Sequence, residues 1–162
     1  MTLSSLFPAI SQRRIATNGI ELNIAEQGDT SAPLILLLHG FPESWYSWRH
    51  QFAPLANAGY HVVAPDMRGY GDSDDYPEAL TFPLFAADLL RLLDHLDVAQ
   101  AHLVGLSMGG AITLWLASRH ADLSGIVCIN PTTKSSASKL AGARLAVKTG
   151  KKSLPAIGSD IS

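Results

Sequence analysis

The chain alternates between short apolar runs and longer segments with helical periodicity. Continuous apolar runs are typical of strands that are covered on both faces. Four such runs occur, over residues 33–38, 60–64, 101–106 and 123–129. Between them, apolar side chains recur at spacings of three and four, which is typical of helices with one buried face. The predicted helices span residues 44–58, 82–96 and 107–119.

A hairpin precedes the first of these runs. Residues 11–17 and 20–27 are predicted as two short strands joined at Asn18-Gly19, a dipeptide that favours a tight turn. The resulting order, β-β-β-α-β-α-β-α-β, predicts an α/β fold whose mostly parallel sheet has helices on both faces. Residues 136–149 are a further candidate helix, and no internal repeat is visible.

The composition is that of one globular domain. The chain has 162 residues, of which 47% are hydrophobic and 16% charged. Its longest aliphatic run, residues 34–38, is too short to span a membrane, and residues 1–8 lack the pattern of a signal peptide. The single cysteine, Cys128, lies in an apolar run and is expected to be a buried thiol. We therefore expect a cytoplasmic protein.

The net charge of −2 is unevenly distributed. Residues 1–130 contain six arginines, no lysine and 13 acidic residues, whereas residues 131–162 contain five lysines, one arginine and one aspartate. A change this sharp predicts a boundary near residue 130. Three interpretations of the basic segment stay open: a solvated helix with a loose end, a surface with a partner, or a sequence that has left its original reading frame.

The most informative motif is G-L-S-M-G-G, at residues 105–110. An apolar strand ends just before Ser107 and a helix-forming run begins just after it, which is the setting of a nucleophile elbow. In such a turn the serine is strained and its hydroxyl projects above the sheet. Gly105 and Gly109 are predicted to allow the close approach of neighbouring backbone. The N-terminus of the following helix favours developing negative charge.

Two further motifs follow earlier predicted strands. One is H-G-F-P-E-S-W-Y-S-W-R at residues 39–49, and the other is D-M-R-G-Y-G-D-S at residues 66–73. Together with the serine motif, they resemble the α/β-hydrolase superfamily, and most closely its epoxide hydrolase and haloalkane dehalogenase branch. The resemblance covers about residues 11–130. It implies that residues 1–130 form the N-terminal part, with six strands, of an α/β-hydrolase core. Residues 131–162 would then be a basic tail or the start of a cap region.

The resemblance implies a role for individual residues. Ser107 would attack an acyl carbon, and the backbone N–H groups of Met108 and Phe41 would form the oxyanion hole. The Phe41–Pro42 peptide would be cis. His39 would support the oxyanion loop and would not be the catalytic base.

Four other residues of these motifs are expected to be mainly structural. Trp45 and Trp48 are candidates for the pocket wall, but packing in the core is the favoured interpretation. Asp66 and Arg68 would stabilise their own loop through local hydrogen bonds.

One departure from the resemblance concerns the nucleophile. Epoxide hydrolases and dehalogenases use an aspartate, which forms an alkyl-ester intermediate. A serine that opened an epoxide would leave an ether, which water does not readily cleave. Ser107 is suited to esters and related acyl compounds, because the acyl-enzyme can then hydrolyse.

The acid and base of a serine triad are missing from the sequence. In this superfamily both follow the nucleophile in the chain. Of the six histidines, only His120 does so. It lies near the end of the helix that follows Ser107, and about 13 residues at ~1.5 Å each place it too far from Ser107 to be the base. The position after the sixth strand, which carries the acid in some relatives, reads Asn130-Pro131, and Asp160 has no strand before it.

Two functional hypotheses of different class remain. The first is a serine hydrolase of small acyl substrates, without cofactor or metal, whose isolated chain is inactive. The second is a truncated, non-catalytic paralogue that acts as an interaction module, with self-association through the exposed edge strand. Contact of the basic tail with nucleic acid is a weaker option, because no recognised fold supports it.

Overall fold

The computed structural model describes residues 7–75, 79–120 and 123, together with the backbone of residues 126–129. The strands are β1 (Ser11–Ala16), β2 (Glu21–Gln27), β3 (Leu34–Leu38), β4 (His61–Pro65), β5 (Ala101–Leu106) and β6 (Ile126–Ile129). The helices are α1 (Phe52–Asn57), α2 (Phe82–His95) and α3 (Met108–Ala117), with a 3-10 helix at Trp45–Trp48. The predicted order of elements is therefore confirmed.

These strands form one mixed sheet in the order β1-β2-β4-β3-β5-β6. The β1–β2 hairpin joins β4 in antiparallel pairing, and β4, β3, β5 and β6 run parallel. Leu34 pairs with both His61 and Ala101, while Leu38 pairs with Gly105. The residues that follow β3 and β5 therefore emerge side by side at the carboxyl edge of the sheet.

Successive side chains of β3 enter two different cores, one on each face of the sheet. Leu34, Leu36 and Leu38 pack with the apolar faces of α2 and α3. Ile35 and Leu37 pack on the opposite face with the 3-10 helix and α1. All five side chains are almost completely buried, which explains why the strand is a continuous apolar run.

The segment predicted as one helix over residues 44–58 is instead two short helices. Ser44 caps the 3-10 helix by accepting a hydrogen bond from the Tyr46 N–H, and α1 starts only at Phe52. The reason is Pro54, which has no N–H and would collide with the preceding turn of a continuous helix. Trp45 and Trp48 are 2% and 3% exposed, so their predicted role in core packing is confirmed.

Several predictions concern residues outside this description. The boundary at residue 130, the basic segment and the candidate helix over residues 136–149 all lie there. Within the described part of the chain, no helix is both long enough and apolar enough to cross a membrane.

A buried ion pair ties the loop after β4 to α2. Arg68 donates from Nε and Nη2 to the two carboxylate oxygens of Asp88, at 2.9 and 2.6 Å, and both side chains are nearly fully buried. Nη2 of Arg68 also donates to the Asn18 carbonyl in the hairpin turn, at 2.9 Å. The expectation that Arg68 makes local bonds within its own loop is therefore wrong for these contacts, which reach two distant segments.

We expect Asp88→Ala to lower the free energy of unfolding by about 3–5 kcal/mol, because it removes the buried carboxylate that balances the Arg68 charge. Urea denaturation measures the change. Asp94→Ala, on the same helix, is the control, because its ion pair with Arg91 is exposed and should contribute less than ~1 kcal/mol. Equal effects of the two substitutions would contradict the assignment.

Candidate active site

Ser107 occupies a strained turn between β5 and α3. Its backbone has φ 54° and ψ −111°, and α3 begins at the next residue. The neighbouring glycines allow the turn to be this tight. A Cβ on Gly105 would lie 2.3 Å from the Gly109 carbonyl oxygen, and one on Gly109 would lie 2.2 Å from that of Leu38. The predicted close approach at both glycines is confirmed.

The loop after β3 lies directly against this turn. A Cβ placed on Gly40 would be 3.2 Å from the Ser107 Cβ and 2.9 Å from Oε2 of Glu43. Glu43 closes the loop, because its carboxylate accepts the Gly40 N–H and its own N–H donates to the Gly40 carbonyl. The Phe41–Pro42 peptide is cis, as the resemblance implies. The loop is thus held beside Ser107.

Phe41 and Met108, the two predicted oxyanion residues, both contact Tyr70. The rings of Phe41 and Tyr70 lie 6.3 Å apart between centroids in an edge-to-face arrangement. The Tyr70 hydroxyl donates to Sδ of Met108 at 3.8 Å. Burial raises the pKa of Tyr70, so the hydroxyl keeps its proton at neutral pH. The assignment of the two N–H groups to an oxyanion hole stays a prediction.

His39 has a structural role. Its ring is fully buried, with Nδ1 2.8 Å from the Gly40 carbonyl and Nε2 2.9 Å from the Met67 N–H. Because a carbonyl only accepts and an N–H only donates, Nδ1 carries the proton and Nε2 accepts. Burial lowers the pKa of His39, against the opposing effect of the bond to Gly40. The imidazole is therefore neutral, with both nitrogens in use.

The other five histidines lie away from the Ser107 turn. His61 and His102 are at the amino ends of parallel strands, opposite to the edge that carries Ser107. His50 packs on Phe7 and His95 ends α2. His120 lies beyond the far end of α3, whose 10 residues span about 15 Å at ~1.5 Å per residue, so it is too far from Ser107 to act as its base, as the sequence argument predicts.

Asp66 organises the loop of residues 66–73. Its buried carboxylate accepts from the Trp45 N–H at 2.7 Å, the Asn23 side chain at 2.9 Å and the Asp72 N–H at 3.0 Å. Only the last bond is local, so the prediction for Asp66 holds in part. A Cβ on Gly71 would lie 2.2 Å from this carboxylate, and the φ of Gly71 is 53°. The glycine is required for both reasons.

Sequence reasoning missed three residues that shape the site. Glu43 closes the loop after β3, Tyr70 contacts both predicted oxyanion residues, and Asp88 anchors the loop after β4 through Arg68. The spacing of Glu43 and Gly40, three residues apart in a turn, was a usable signal. The other contacts join segments that are distant in the chain. Within the described residues, no cluster of three or more His, Cys, Asp or Glu side chains could hold a metal.

Comparison with known proteins agrees with this geometry. The alpha/beta hydrolase fold family matches residues 33–155 of the chain. An elbow serine between β5 and α3, a loop after β3 that lies against this serine, and a mostly parallel sheet are the features expected of that fold. The chain belongs to the alpha/beta hydrolase fold family.

The relatives within this family include epoxide hydrolases. The chain is 47% identical to epoxide hydrolase A of Mycobacterium tuberculosis over 117 residues, which is 70% of this chain and 36% of that protein. It is 48% identical to epoxide hydrolase 1 of Siraitia grosvenorii over 108 residues, 65% of this chain and 33% of that protein. The predicted resemblance to the epoxide hydrolase branch is confirmed, and the chain spans about a third of the length of these relatives.

Solved structures give the same result. The chain superposes on the epoxide hydrolase from Vigna radiata with a TM-score of 0.71 and 39% identity, covering 75% of this chain and 38% of that one. Its superposition on epoxide hydrolase A from Mycobacterium thermoresistibile has a TM-score of 0.71 and 37% identity, and it covers 82% of this chain and 44% of that one. The predicted α/β-hydrolase fold is therefore confirmed.

We expect Ser107→Gly to be more stable than Ser107→Ala by about 1 kcal/mol. Both variants lose the hydroxyl, but only glycine relieves the backbone strain at positive φ, which costs ~1–3 kcal/mol. Against this gain, the greater flexibility of glycine in the unfolded chain costs ~0.5–1 kcal/mol. Urea denaturation of the two variants side by side measures the difference. Equal stabilities would show that the turn is not strained.

We expect the neutral state of His39 to make stability pH-dependent. The unfolded chain protonates this histidine near pH ~6.5, whereas the lowered pKa in the folded state resists protonation. The stability from His39 is therefore complete above about pH 6.5 and is lost as the pH falls towards the folded pKa, by at most ~1.4 kcal/mol per pH unit.

Unfolding in urea at about pH 7.5 and about pH 5.5 tests this dependence. The loss of stability on acidification should be smaller in His39→Gln than in the unsubstituted chain. His50→Gln, at an exposed position, should retain the full loss. An unchanged loss in His39→Gln would refute the assignment.

Proposed function

We propose that Ser107 is the nucleophile of a serine hydrolase that acts on small esters or related acyl compounds. The observation that carries this proposal is the backbone of Ser107, with φ 54° at a strand-to-helix turn. A non-glycine residue in the left-handed region costs about 1–3 kcal/mol, and such strain is concentrated at functional positions. The same turn exposes the nucleophile in this fold family.

The proposed reaction proceeds through an acyl-enzyme. The Ser107 oxygen attacks the acyl carbon while a base removes the hydroxyl proton. The tetrahedral intermediate collapses, the bond from carbon to the alcohol oxygen breaks, and the alcohol leaves with a proton. Water then attacks the acyl carbon, which releases the acid and restores the serine hydroxyl.

The N–H groups of Met108 and Phe41 are proposed to stabilise the oxyanion. Met108 is the first residue of α3, and the first N–H groups of a helix have no acceptor within the helix. Phe41 belongs to the loop whose Gly40 packs against Ser107. A preorganised donor of this kind contributes about 3–4 kcal/mol to stabilisation of the transition state.

We further propose that these 162 residues do not turn over esters on their own. His39 is neutral and uses both ring nitrogens, and the other histidines lie elsewhere in the fold. The sequence also has Asn130 where some relatives carry the acid. In this proposal the acid and the histidine come from a segment outside these residues, in the same protein or in a second polypeptide.

Epoxide hydrolysis is the second candidate, and the identity to named epoxide hydrolases favours it. Ser107 argues against it, because attack on an epoxide would leave a stable ether on the serine.

A non-catalytic interaction module is the third candidate. The position of β6 at one edge of the described sheet supports it, since an edge strand can pair with another chain.

Two measurements on the purified chain test the proposal. We expect p-nitrophenyl butyrate to be turned over at the background rate by both the unsubstituted chain and Ser107→Ala. We also expect p-nitrophenyl acetate to acetylate the unsubstituted chain once, at Ser107, because an oxyanion hole alone retains ~10³–10⁴-fold of the acceleration over water. Mass spectrometry of the intact chain and its peptides detects the acetyl group.

Each part of the proposal has its own contrary result. Turnover that disappears in Ser107→Ala would show that a working base is present. Acetylation that is absent, or equal in Ser107→Ala, would exclude Ser107 as a nucleophile. Hydrolysis of styrene oxide that disappears in Ser107→Ala would favour the second candidate.

A further inference from the structure

We infer that Tyr70 is a positioning residue that holds Phe41 and Met108 in place beside Ser107. The inference rests on the proposed function, because it concerns the two residues whose N–H groups would form the oxyanion hole. These residues come from different segments, one after β3 and the other at the start of α3. Tyr70 belongs to a third segment and contacts both.

The contacts of Tyr70 involve both its ring and its hydroxyl. The ring lies edge-to-face with Phe41 at 6.3 Å and with His39 at 5.3 Å between centroids, at interplanar angles of 89° and 69°. The hydroxyl reaches Sδ of Met108 at 3.8 Å. Aromatic edge contacts and sulfur contacts are each modest, but together they connect both sides of the proposed hole.

Phe41 has particular reason to depend on Tyr70. Its side chain is 69% exposed, the largest exposure of any large hydrophobic residue in the described part of the chain. An exposed side chain gains little from burial, so few contacts fix its position. The Tyr70 ring is the aromatic contact that the structure records for Phe41. Loss of this ring would leave the residue held mainly by its backbone.

The motif at residues 66–73 fixes Tyr70 in turn. The Tyr70 N–H donates to the Met67 carbonyl at 2.9 Å, and its carbonyl accepts from the Ser73 N–H at 3.1 Å. In the same motif, the Asp66 carboxylate accepts three hydrogen bonds, and Arg68 is paired with Asp88. The motif therefore holds Tyr70 against the two segments that carry Phe41 and Met108.

The rate of acylation of Ser107 by p-nitrophenyl acetate tests the inference. The serine oxygen bonds to the acetyl carbon, the bond to p-nitrophenolate breaks, and the hydroxyl proton passes to the solvent. We expect Tyr70→Leu to lower the limiting acylation rate about 10- to 100-fold with a smaller change in the concentration that gives half of that rate, because misplaced donors stabilise the transition state poorly. Tyr70→Phe, which keeps the ring contact with Phe41 but loses the hydroxyl contact with Met108, should have a rate between those of Tyr70→Leu and the unsubstituted chain.

Tyr46→Leu is the matched control. Tyr46 is also half-buried and makes edge contacts with Trp45 and Phe7, but it lies on the opposite face of the sheet. The Tyr46→Leu substitution should lower thermal stability without lowering the acylation rate. If Tyr70→Leu does not fold, as judged by circular dichroism, Tyr70→Met replaces it, because a flexible methionine fills the same space. Equal acylation by the Tyr70 and Tyr46 variants would overturn the inference.

A second measurement separates this inference from the proposed function. Backbone order parameters from NMR relaxation report the order of Phe41 and Met108 without any reaction. If the unsubstituted chain is not acylated, the proposed function fails and the order parameters decide the role of Tyr70. Lower order parameters at both residues in Tyr70→Leu than in Tyr46→Leu support the role, and equal order parameters refute it.

Discussion

The close backbone contact between α3 and the neighbouring strands is the constraint on which the site depends. A Cβ atom added to Gly105 or Gly109 would lie only 2.3 or 2.2 Å from a neighbouring backbone carbonyl oxygen. Any side chain there would move the helix away from the sheet. Ser107 lies between the two glycines, so its strained turn is a direct consequence of how tightly the helix packs.

A second level of support comes from buried polar groups. The Asp66 carboxylate joins β2, the start of the 3-10 helix and its own loop, while Arg68 and Asp88 join that loop to α2. Buried charges are costly unless they are paired and hydrogen-bonded, and these are. The loop that carries Tyr70 is therefore fixed from several directions, unlike most surface loops.

The sequence predicted the features that depend on local pattern. The apolar runs of β3 and β5 are strands covered on both faces, and the elbow at Ser107 requires only a strand, a glycine pair and a helix. The predicted helix over 44–58 failed because the spacing of its apolar residues ignores the missing N–H of Pro54.

Features that join distant segments were not predictable from pattern. The pairing of Arg68 with Asp88 requires knowing which side of α2 faces the loop. The contacts of Tyr70 require the positions of three separate segments at once. In both cases the determining quantity is the three-dimensional arrangement of the sheet, which residue spacing does not contain.

The sheet order also has a consequence for the newly made chain. β3 lies between β4 and β5, and Leu34 pairs with Ala101, far along the sequence. Synthesis therefore releases five consecutive leucine and isoleucine residues long before their second neighbouring strand exists. Long-range parallel pairing is slow to form, and an uncovered apolar strand is prone to aggregate. The same central position that makes β3 a rigid support in the finished fold exposes it to mispairing while the protein is being made.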